Sequence, residues 1–285
     1  MLLKIVMPSR DASSFDLARL RAGLKPFRLH FFTTLRSTND HAAVLRKRGD
    51  LFAPAVVLAA RQTAGRGRGS NTWFSAAGSL TVTFVIAENE TFAPHHLPLA
   101  AGLAARNAAA ELTANDDVKL KWPNDLVVPS AEPAGRGLPL SGKPAPLRKL
   151  AGLLCERIDN IDLVGIGLNV NVPDAPVPKT LRDRVTHLQQ LRRIDAGKPF
   201  DLTAVLITLA RHLRTTLVRP PDTSFATFLR EYDRHHALVG RTVTVHSPHE
   251  PPISGVCQGL DDTGRLLLRD GKTLHRVIAG HVESR

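Results

Sequence analysis

The stretches RKLAGLLCERI (148–158) and DLVGIGLNVNV (162–172) are two apolar segments separated by three residues. Their lengths and composition predict a pair of neighbouring β-strands. In the second segment Gly165, Gly167 and Asn169 share one face of the strand, and the residues between them are apolar. Two glycines side by side leave a bare surface on which a flat ligand can contact the backbone. The alternative is that the glycines allow close packing of the strand against a helix.

Lys149 stands at the start of the first of these strands. In a regular strand its side chain points to the same side as Ala151 and Leu153. Because an unpaired buried ammonium is costly, this apolar face predicts an anionic partner for Lys149, unless the residue lies at a frayed strand end. Cys155 on the same strand is interpreted as a packed thiol rather than a nucleophile.

Helical and strand patterns alternate on both sides of this pair. A helix is predicted to begin at the Ser37 cap and to end at Gly49. The Gly- and Arg-rich segment 61–78 is predicted to be a loop, and 129–148, with five prolines and three glycines, a flexible insertion. Further strands are predicted at 30–35, 55–60, 79–87 and 118–122, and further helices at 16–24, 95–112, 179–191, 201–217 and 223–237.

The chain changes character at about residue 238. Short strands alternate there with tight turns, among them Asp-Thr-Gly at 262–264 and Asp-Gly at 270–271, which are typical of hairpins. We therefore predict two domains, a main domain over 1–237 and a small β barrel over 238–285.

Composition narrows the classes of function. The 285 residues carry 38 Lys and Arg against 26 Asp and Glu, a net charge of +12, which suits nucleic acid, an anionic small molecule or an acidic partner. Aromatic residues make up only 5% of the chain, so a surface for stacking single strands is not favoured. No apolar run is long enough for a membrane span, and Cys155 and Cys257 form no disulfide framework. These features predict a cytoplasmic protein without a membrane partner.

The segment from Gln62 to Gly69, QTAGRGRG, alternates glycine and arginine. Glycine permits tight turns, and arginine binds phosphate or carboxylate through two parallel hydrogen bonds. No carboxylate occurs from Leu51 through Ala87, so no residue nearby in sequence neutralises these arginines. The pattern favours anion binding, with a solvated loop or an RNA-binding segment as the alternatives, and it is not a Walker loop.

The segment KWPNDL (121–126) places a cation, an amide and a carboxylate at the end of a predicted strand. Pro123 ends the strand pairing, and the Asn-Asp pair that follows it favours a turn. This segment is a second candidate for a polar site. The alternative is an ordinary strand end with a buried tryptophan.

Five segments together resemble the biotin protein ligases, which attach biotin to carboxylase carrier domains. They are Ser37-Thr38-Asn39, QTAGRGR…W (62–73), KWPNDL (121–126), KLAGLLCE (149–156) and GIGLNV (165–170), and the resemblance covers about 35–285. It implies an α/β (α+β) fold with a mixed β-sheet catalytic domain, flanking helices and a small C-terminal SH3-like β barrel. The first 30 residues are too short for the winged-helix domain of some members, so no DNA partner is expected.

The resemblance also implies the chemistry. Biotin is activated with ATP to biotinyl-5′-AMP and is then transferred to a lysine of a biotin carboxyl carrier protein or domain of acetyl-CoA carboxylase or a related carboxylase, with Mg²⁺ as the metal. Family members often form homodimers through the catalytic sheet. A lipoate ligase or octanoyltransferase of the same fold, or a basic nucleic-acid-binding protein, is the alternative.

The resemblance finally implies roles for individual residues. Lys149, Arg68 and Asp125 are the expected catalytic residues, with Lys149 between the two reacting anions and Asp125 linked to Mg²⁺. Gly69-Ser70-Asn71 stands where many members carry Arg-Gly-Arg, so two expected positive charges are missing. The expected biotin-binding residues are Ser37, Thr38, Asn39, Gln62, Gly65, Arg66, Gly67, Arg68, Lys149, Gly152, Gly165 and Gly167. The expected ATP-binding residues are Arg66, Arg68, Trp73, Lys121, Trp122, Asn124 and Asn169.

Overall fold

The computed structural model describes residues 15–88, 93–130, 145–173, 177–217, 224–247 and 250–284. The helices are α1 (Leu17–Gly23), α2 (Thr38–Lys47), α3 (Leu97–Thr113), α4 (Lys179–Arg182), α5 (Leu188–Leu191), α6 (Leu202–Leu217) and α7 (Phe225–Arg234). The strands are β1 (Arg28–Leu35), β2 (Ala55–Gln62), β3 (Gly65–Arg66), β4 (Thr72–Trp73), β5 (Ser79–Ala87), β6 (Lys119–Lys121), β7 (Asp125–Pro129), β8 (Leu147–Ile158), β9 (Ile161–Asn169), β10 (Thr242–His246), β11 (Ile253–Leu260), β12 (Leu266–Asp270), β13 (Thr273–Val277) and β14 (His281–Ser284).

The main sheet has seven strands in the order β1-β2-β5-β9-β8-β7-β6. Only the β1–β2 pair is parallel among the described strands, so the sheet is mixed as predicted. Alternate residues of β5 pack on opposite faces: Phe84 joins the core formed with α3 and α6, and Val85 joins a smaller core beneath α2. The central strands β5 and β9 are therefore covered on both faces, which explains their nearly continuous apolar sequences.

A second sheet of five antiparallel strands, in the order β13-β12-β11-β10-β14, follows the last helix. This small domain confirms the predicted C-terminal β fold. Several hydrogen bonds join it to the main domain; among them, Trp122 Nε1 donates to the carbonyl of Gly264 at 3.2 Å, and the amide of Leu260 donates to Asp233 Oδ2 at 3.2 Å. The division at residue 238 stays a prediction.

Three predicted segments differ from the structure. The segment 61–78 contains the end of β2 and a hairpin of β3 and β4, so it is not wholly a loop. Of the predicted insertion 129–148, residues 131–144 lie outside the described residues, whereas Pro129 ends β7 and Leu147 begins β8. The segment 179–191 is not one helix, because α4 and α5 are separated by residues that pair with β8.

The pairing that interrupts this helix is local and well defined. The amide of Lys149 donates to the carbonyl of Arg184 at 2.7 Å, and the amide of Thr186 donates to the carbonyl of Lys149 at 3.0 Å. Val185 lies opposite Lys149 in a parallel bridge. The pairing of β8 with β9 begins only at Ala151, so on that side the backbone groups of Lys149 need other partners, and the segment 184–186 supplies them instead of continuing the helix. No helix of the described residues combines the length and apolar content needed to cross a membrane.

Candidate active site

A pocket of about 850 Å³ lies between the central strands, the β3–β4 hairpin and the C-terminal sheet. It brings together all the site residues predicted from the sequence except Gly65. Gly65 lies behind the pocket, where a Cβ atom would lie 2.7 Å from the carbonyl oxygen of Trp73. Gly65 therefore lets β3 and β4 approach each other, and its predicted part in shaping the biotin site stays a prediction.

The N-terminus of α2 forms one end of the pocket. Ser37 caps the helix, because its Oγ accepts the amide of Asp40 at 3.3 Å. Gln62 Oε1 accepts hydrogen bonds from the amide and the hydroxyl of Thr38, at 2.7 and 3.1 Å. This pair of contacts fixes the Gln62 amide group at the end of β2, so that its remaining donors are oriented toward whatever fills this end of the pocket.

Asn39 is satisfied entirely by the protein. Its Nδ2 donates to Glu156 Oε2 at 2.8 Å and to the carbonyl of Leu154 at 3.1 Å, and its Oδ1 accepts the Thr83 hydroxyl at 2.6 Å. A Cβ atom at Gly165 would overlap this Oδ1. Asn39 therefore holds α2 against the sheet with both of its amide hydrogens donated within the protein, and its role in binding biotin stays a prediction.

The glycine surface predicted on β8 and β9 is covered by side chains of the protein itself. The Trp73 indole lies on Gly167, where a Cβ atom would overlap Cε2 of the ring. At Gly152 a Cβ atom would lie 3.0 Å from Lys149 Nζ and 3.4 Å from Trp73 Cζ3. The glycines thus allow the indole and the lysine to lie directly on the sheet. The Trp73 Nε1 is buried without a hydrogen-bond partner among the described residues.

Lys149 reaches the pocket through an irregularity in the sheet. The β7–β8 register shifts so that Leu126 pairs with Ala151 and Val127 with Lys149, which leaves Leu150 as an extra residue. Such a bulge redirects the neighbouring side chain. Lys149 accordingly lies over Gly152, with Nζ 2.7 Å from Asp125 Oδ1 and 5.9 Å from the centroid of the Trp73 ring. The anionic partner predicted for this lysine is therefore Asp125.

The two arginines of the hairpin have different surroundings. Arg66 forms ion pairs with Asp40 and Glu156, each at 2.8 Å. The expectation that no acid neutralises Arg66 is therefore wrong, because the fold brings in carboxylates from α2 and β8. Arg68 forms no ion pair among the described residues; its Nη1 donates to the carbonyl of Gly280 at 3.1 Å, and burial lowers the pKa of its guanidinium.

The remaining predicted residues line the pocket from β6, the β6–β7 turn and β9. Asn124 Nδ2 donates to the carbonyl of Leu153 at 2.7 Å, and Asn169 Nδ2 donates to the carbonyl of Lys149 at 3.4 Å. The Trp122 indole is buried and bonded to Gly264, so it contributes packing beneath the pocket. Burial lowers the pKa of Lys121, and the nearby positive charges of Lys149 and Arg184 lower it further.

Sequence reasoning missed two groups of pocket residues. Arg184 belongs to the segment that was interpreted as a helix, and no local pattern marks it. The strand β14 and the residues preceding it, 279–282, line the pocket from the C-terminal sheet, and this contact joins residues more than 200 positions apart. This contact depends on the docking of the C-terminal sheet against the main domain, so the local sequence carries no signal for it.

Comparison with known proteins agrees with this geometry. The model of the biotin/lipoate A/B protein ligase family matches residues 31–172, and that of the biotin protein ligase C-terminal domain matches residues 238–285. The chain belongs to the biotin protein ligases. Among family relatives, the biotin–[acetyl-CoA-carboxylase] ligase of Mycobacterium tuberculosis is 28% identical over 280 residues, which are 96% of each chain. The biotin–[acetyl-CoA-carboxylase] ligase of Paracoccus denitrificans is 28% identical over 237 residues, 82% of this chain and 92% of the relative.

A solved structure of another biotin protein ligase has the same fold. The enzyme from Aquifex aeolicus in complex with biotin and ATP superposes with a TM-score of 0.72 and 27% identity, over 90% of this chain and 98% of that one. The superposition covers most of this biotin protein ligase, and the predicted fold class is confirmed.

The glycine on which Trp73 lies provides a direct test of this arrangement. The Gly167→Ala substitution should displace the indole from the sheet, because the added methyl group overlaps the ring. The chain has two tryptophans, and Trp122 is buried in the core, so a red shift of the tryptophan emission should report Trp73. Gly102→Ala is the matched control, since a Cβ there meets only ordinary contacts. Identical spectra for both variants and the unmodified chain would show that the indole does not lie on Gly167.

Proposed function

We propose that this chain is an ATP-dependent biotin protein ligase that forms biotinyl-5′-AMP and transfers biotin to a lysine of a biotin carboxyl carrier domain. The observation that carries the proposal is the cluster of Lys149, Lys121 and Arg68 around a single carboxylate, Asp125, among the described residues that line the pocket. The A. aeolicus relative binds biotin and ATP in the same fold, and the M. tuberculosis relative is named for acetyl-CoA carboxylase.

The first reaction joins two anions. A carboxylate oxygen of biotin attacks the α-phosphorus of ATP, the bond from that phosphorus to the bridging oxygen breaks, and pyrophosphate leaves with the electron pair. The repulsion between carboxylate and triphosphate opposes this approach, and preorganised positive charge reduces it. We assign this role to Lys149, because its ammonium lies over Gly152 and the residue lines the pocket.

The second reaction consumes the mixed anhydride. A neutral lysine amine of the carrier domain attacks the acyl carbon, an amide forms, and AMP leaves. Water competes with the amine, so the intermediate needs a covered site. The Arg68–Gly280 hydrogen bond joins the β3–β4 hairpin to the C-terminal sheet, and both line the pocket that would hold the intermediate. No covalent enzyme intermediate is required, and burial raises the pKa of the Cys155 thiol, which disfavours it as a nucleophile.

The two ends of the pocket bind different substrates. The α2 end offers Ser37, Thr38 and Gln62, whose small polar groups suit the ureido ring of biotin. The end formed by β6 and β9 offers Lys121 and Asn169, which suit the nucleotide. Trp73 lies between the two ends, and its aromatic faces provide a stacking surface for flat groups. The remaining residues proposed to contact the substrates are Gly67, Gly152, Arg68 and Asn124.

Mg²⁺ would bind in this pocket only together with the phosphates of the substrate. The described residues contain no group of three or more His, Cys, Asp or Glu side chains that could hold a metal, and Asp125 is already paired with Lys149. Magnesium is commonly bound through one or two carboxylates together with substrate phosphates. Asp125 is the residue that would hold it here, and the metal would offset phosphate charge.

The function is tested by incubating the full chain with ATP, Mg²⁺, a carrier domain and either labelled biotin or labelled lipoate. We expect AMP release and label on the carrier lysine with biotin alone. Labelling with lipoate but not biotin would contradict the proposal and favour the related ligases of this fold. Failure to consume ATP with either acid would remove the enzymatic assignment.

Replacement of the central lysine should abolish the first step. We expect Lys149→Ala to reduce biotin-dependent ATP–pyrophosphate exchange by at least about 10²-fold, because a preorganised charge is lost. Lys119→Ala is the control, since Lys119 lies on β6, which β7 separates from the strand of Lys149, and does not line the pocket. Near-normal exchange in Lys149→Ala would refute the role assigned to this lysine.

Loss of the link between the hairpin and the C-terminal sheet should affect retention of the intermediate. Arg68→Ala removes the hydrogen bond to Gly280, so biotinyl-5′-AMP should dissociate several-fold faster in a stopped-flow chase, with the thermal midpoint unchanged. The exposed Arg61→Ala, at the end of β2, is the matched control. Equal dissociation rates in both variants would show that Arg68 does not hold the intermediate.

A further inference from the structure

The charges that line the pocket are not balanced. Five cationic side chains face it, and Asp125 is the one carboxylate among its described lining residues. Two of the cations are already neutralised, since Lys149 is paired with Asp125, and Arg66 with acids outside the pocket. Arg68, Lys121 and Arg184 form no ion pair within the part of the chain that the structure describes. This surplus exceeds what the single carboxylate of biotin can neutralise.

Backbone contacts hold Arg184 at the part of the pocket that carries the excess positive charge. The carbonyl of Arg184 accepts the amide of Lys149 at 2.7 Å, and the next residue, Val185, lies opposite Lys149. Thr186 and His187, which follow, are buried. The arginine is therefore attached to the strand that carries the central lysine, while its side chain is exposed at the pocket.

The neighbours of Arg184 include like charges. Lys121 lines the same pocket as Arg184 and Lys149. Burial has the largest effect on the pKa of Lys121 and lowers it; the charges of Lys149 and Arg184 also lower it, whereas Asp125 and Glu283 raise it. Like charges at short range repel, and the repulsion is relieved when an anion binds between them. The tip of the hairpin, Gly69-Ser70-Asn71, also lines the pocket but supplies no charge. An anion with several charges is therefore expected next to Lys121 and Arg184.

We propose that Arg184 binds the β- and γ-phosphates of ATP and holds the pyrophosphate as it leaves. The inference rests on the proposed function, in which the bond between the α-phosphorus and the bridging oxygen breaks and pyrophosphate takes the electron pair. A guanidinium group suits this task because it donates two parallel hydrogen bonds to phosphate oxygens and keeps its charge at every physiological pH. No proton transfer is needed at Arg184.

The test compares binding of AMP, ADP and ATP to the full chain by calorimetry, in the absence of biotin. We expect Arg184→Ala to weaken ATP binding about 10-fold, the loss of one or two charge-assisted hydrogen bonds, and to leave AMP binding within about twofold. Arg184→Gln, which removes the charge but keeps much of the side chain, should show the same pattern. Arg182→Ala is the matched control, because Arg182 is exposed two residues away and does not line the pocket.

Three outcomes would overturn the proposal. Equal losses for AMP and ATP would place Arg184 at the adenosine or α-phosphate end. Unchanged ATP affinity in both Arg184 variants would remove it from the nucleotide site. Unchanged ATP affinity with a raised KM for the carrier domain would make it a docking residue for an acidic acceptor. These results are separate from the proposed function, which fails if the unmodified chain binds ATP but makes no biotinyl-5′-AMP.

Discussion

The ion pair between Lys149 and Asp125, with 2.7 Å between Nζ and Oδ1, determines the geometry of the pocket. Both side chains are partly exposed, at 38% and 22%, so solvent screens the pair and it contributes little to the stability of the fold. The effect of the pair is to fix the position of the Lys149 ammonium. The bulge at Leu150 turns the lysine over Gly152, and the carboxylate at the start of β7 keeps the ammonium there until an anionic reactant replaces or shares it.

Close approach to the sheet is the second constraint. Three glycines on β8 and β9 allow an amide, an indole and an ammonium to lie directly on the backbone. A side chain at any of these positions would lift its neighbour into the pocket. The same constraint explains why α2 stands so close to the sheet, since the Asn39 amide bridges the helix to Glu156 and Thr83 over Gly165. Binding site and fold are thus built from the same contacts.

Local patterns in the sequence predicted much of the fold. Alternation of apolar residues located β5, the lengths and composition of two apolar segments located β8 and β9, and helical patterns located α3 and α6. The glycine and lysine motifs located the pocket, since such residues on a strand need a special partner. The family and fold predictions are confirmed by the matches at 31–172 and 238–285 and by the solved relative.

The parts that could not be predicted depend on contacts between distant residues. Arg66 was expected to lack an acid because none lies near it in sequence, yet Glu156 reaches it from 90 positions away. The segment around Val185 has a helical composition, but the unpaired backbone of Lys149 draws it into a bridge. Neither the bulge at Leu150 nor the contribution of Gly280 leaves a local signal, because each arises from the register of strands or the docking of domains.

The ammonium group of Lys149 is proposed to bring a carboxylate and a phosphate together on the glycine surface. A crystal structure of the full chain with biotin and an ATP analogue that has a methylene group between the α- and β-phosphates measures this directly. We expect Lys149 Nζ within about 3 Å of both a biotin carboxylate oxygen and an α-phosphate oxygen. A structure with both ligands bound elsewhere, and with Lys149 still paired only with Asp125, would contradict the account.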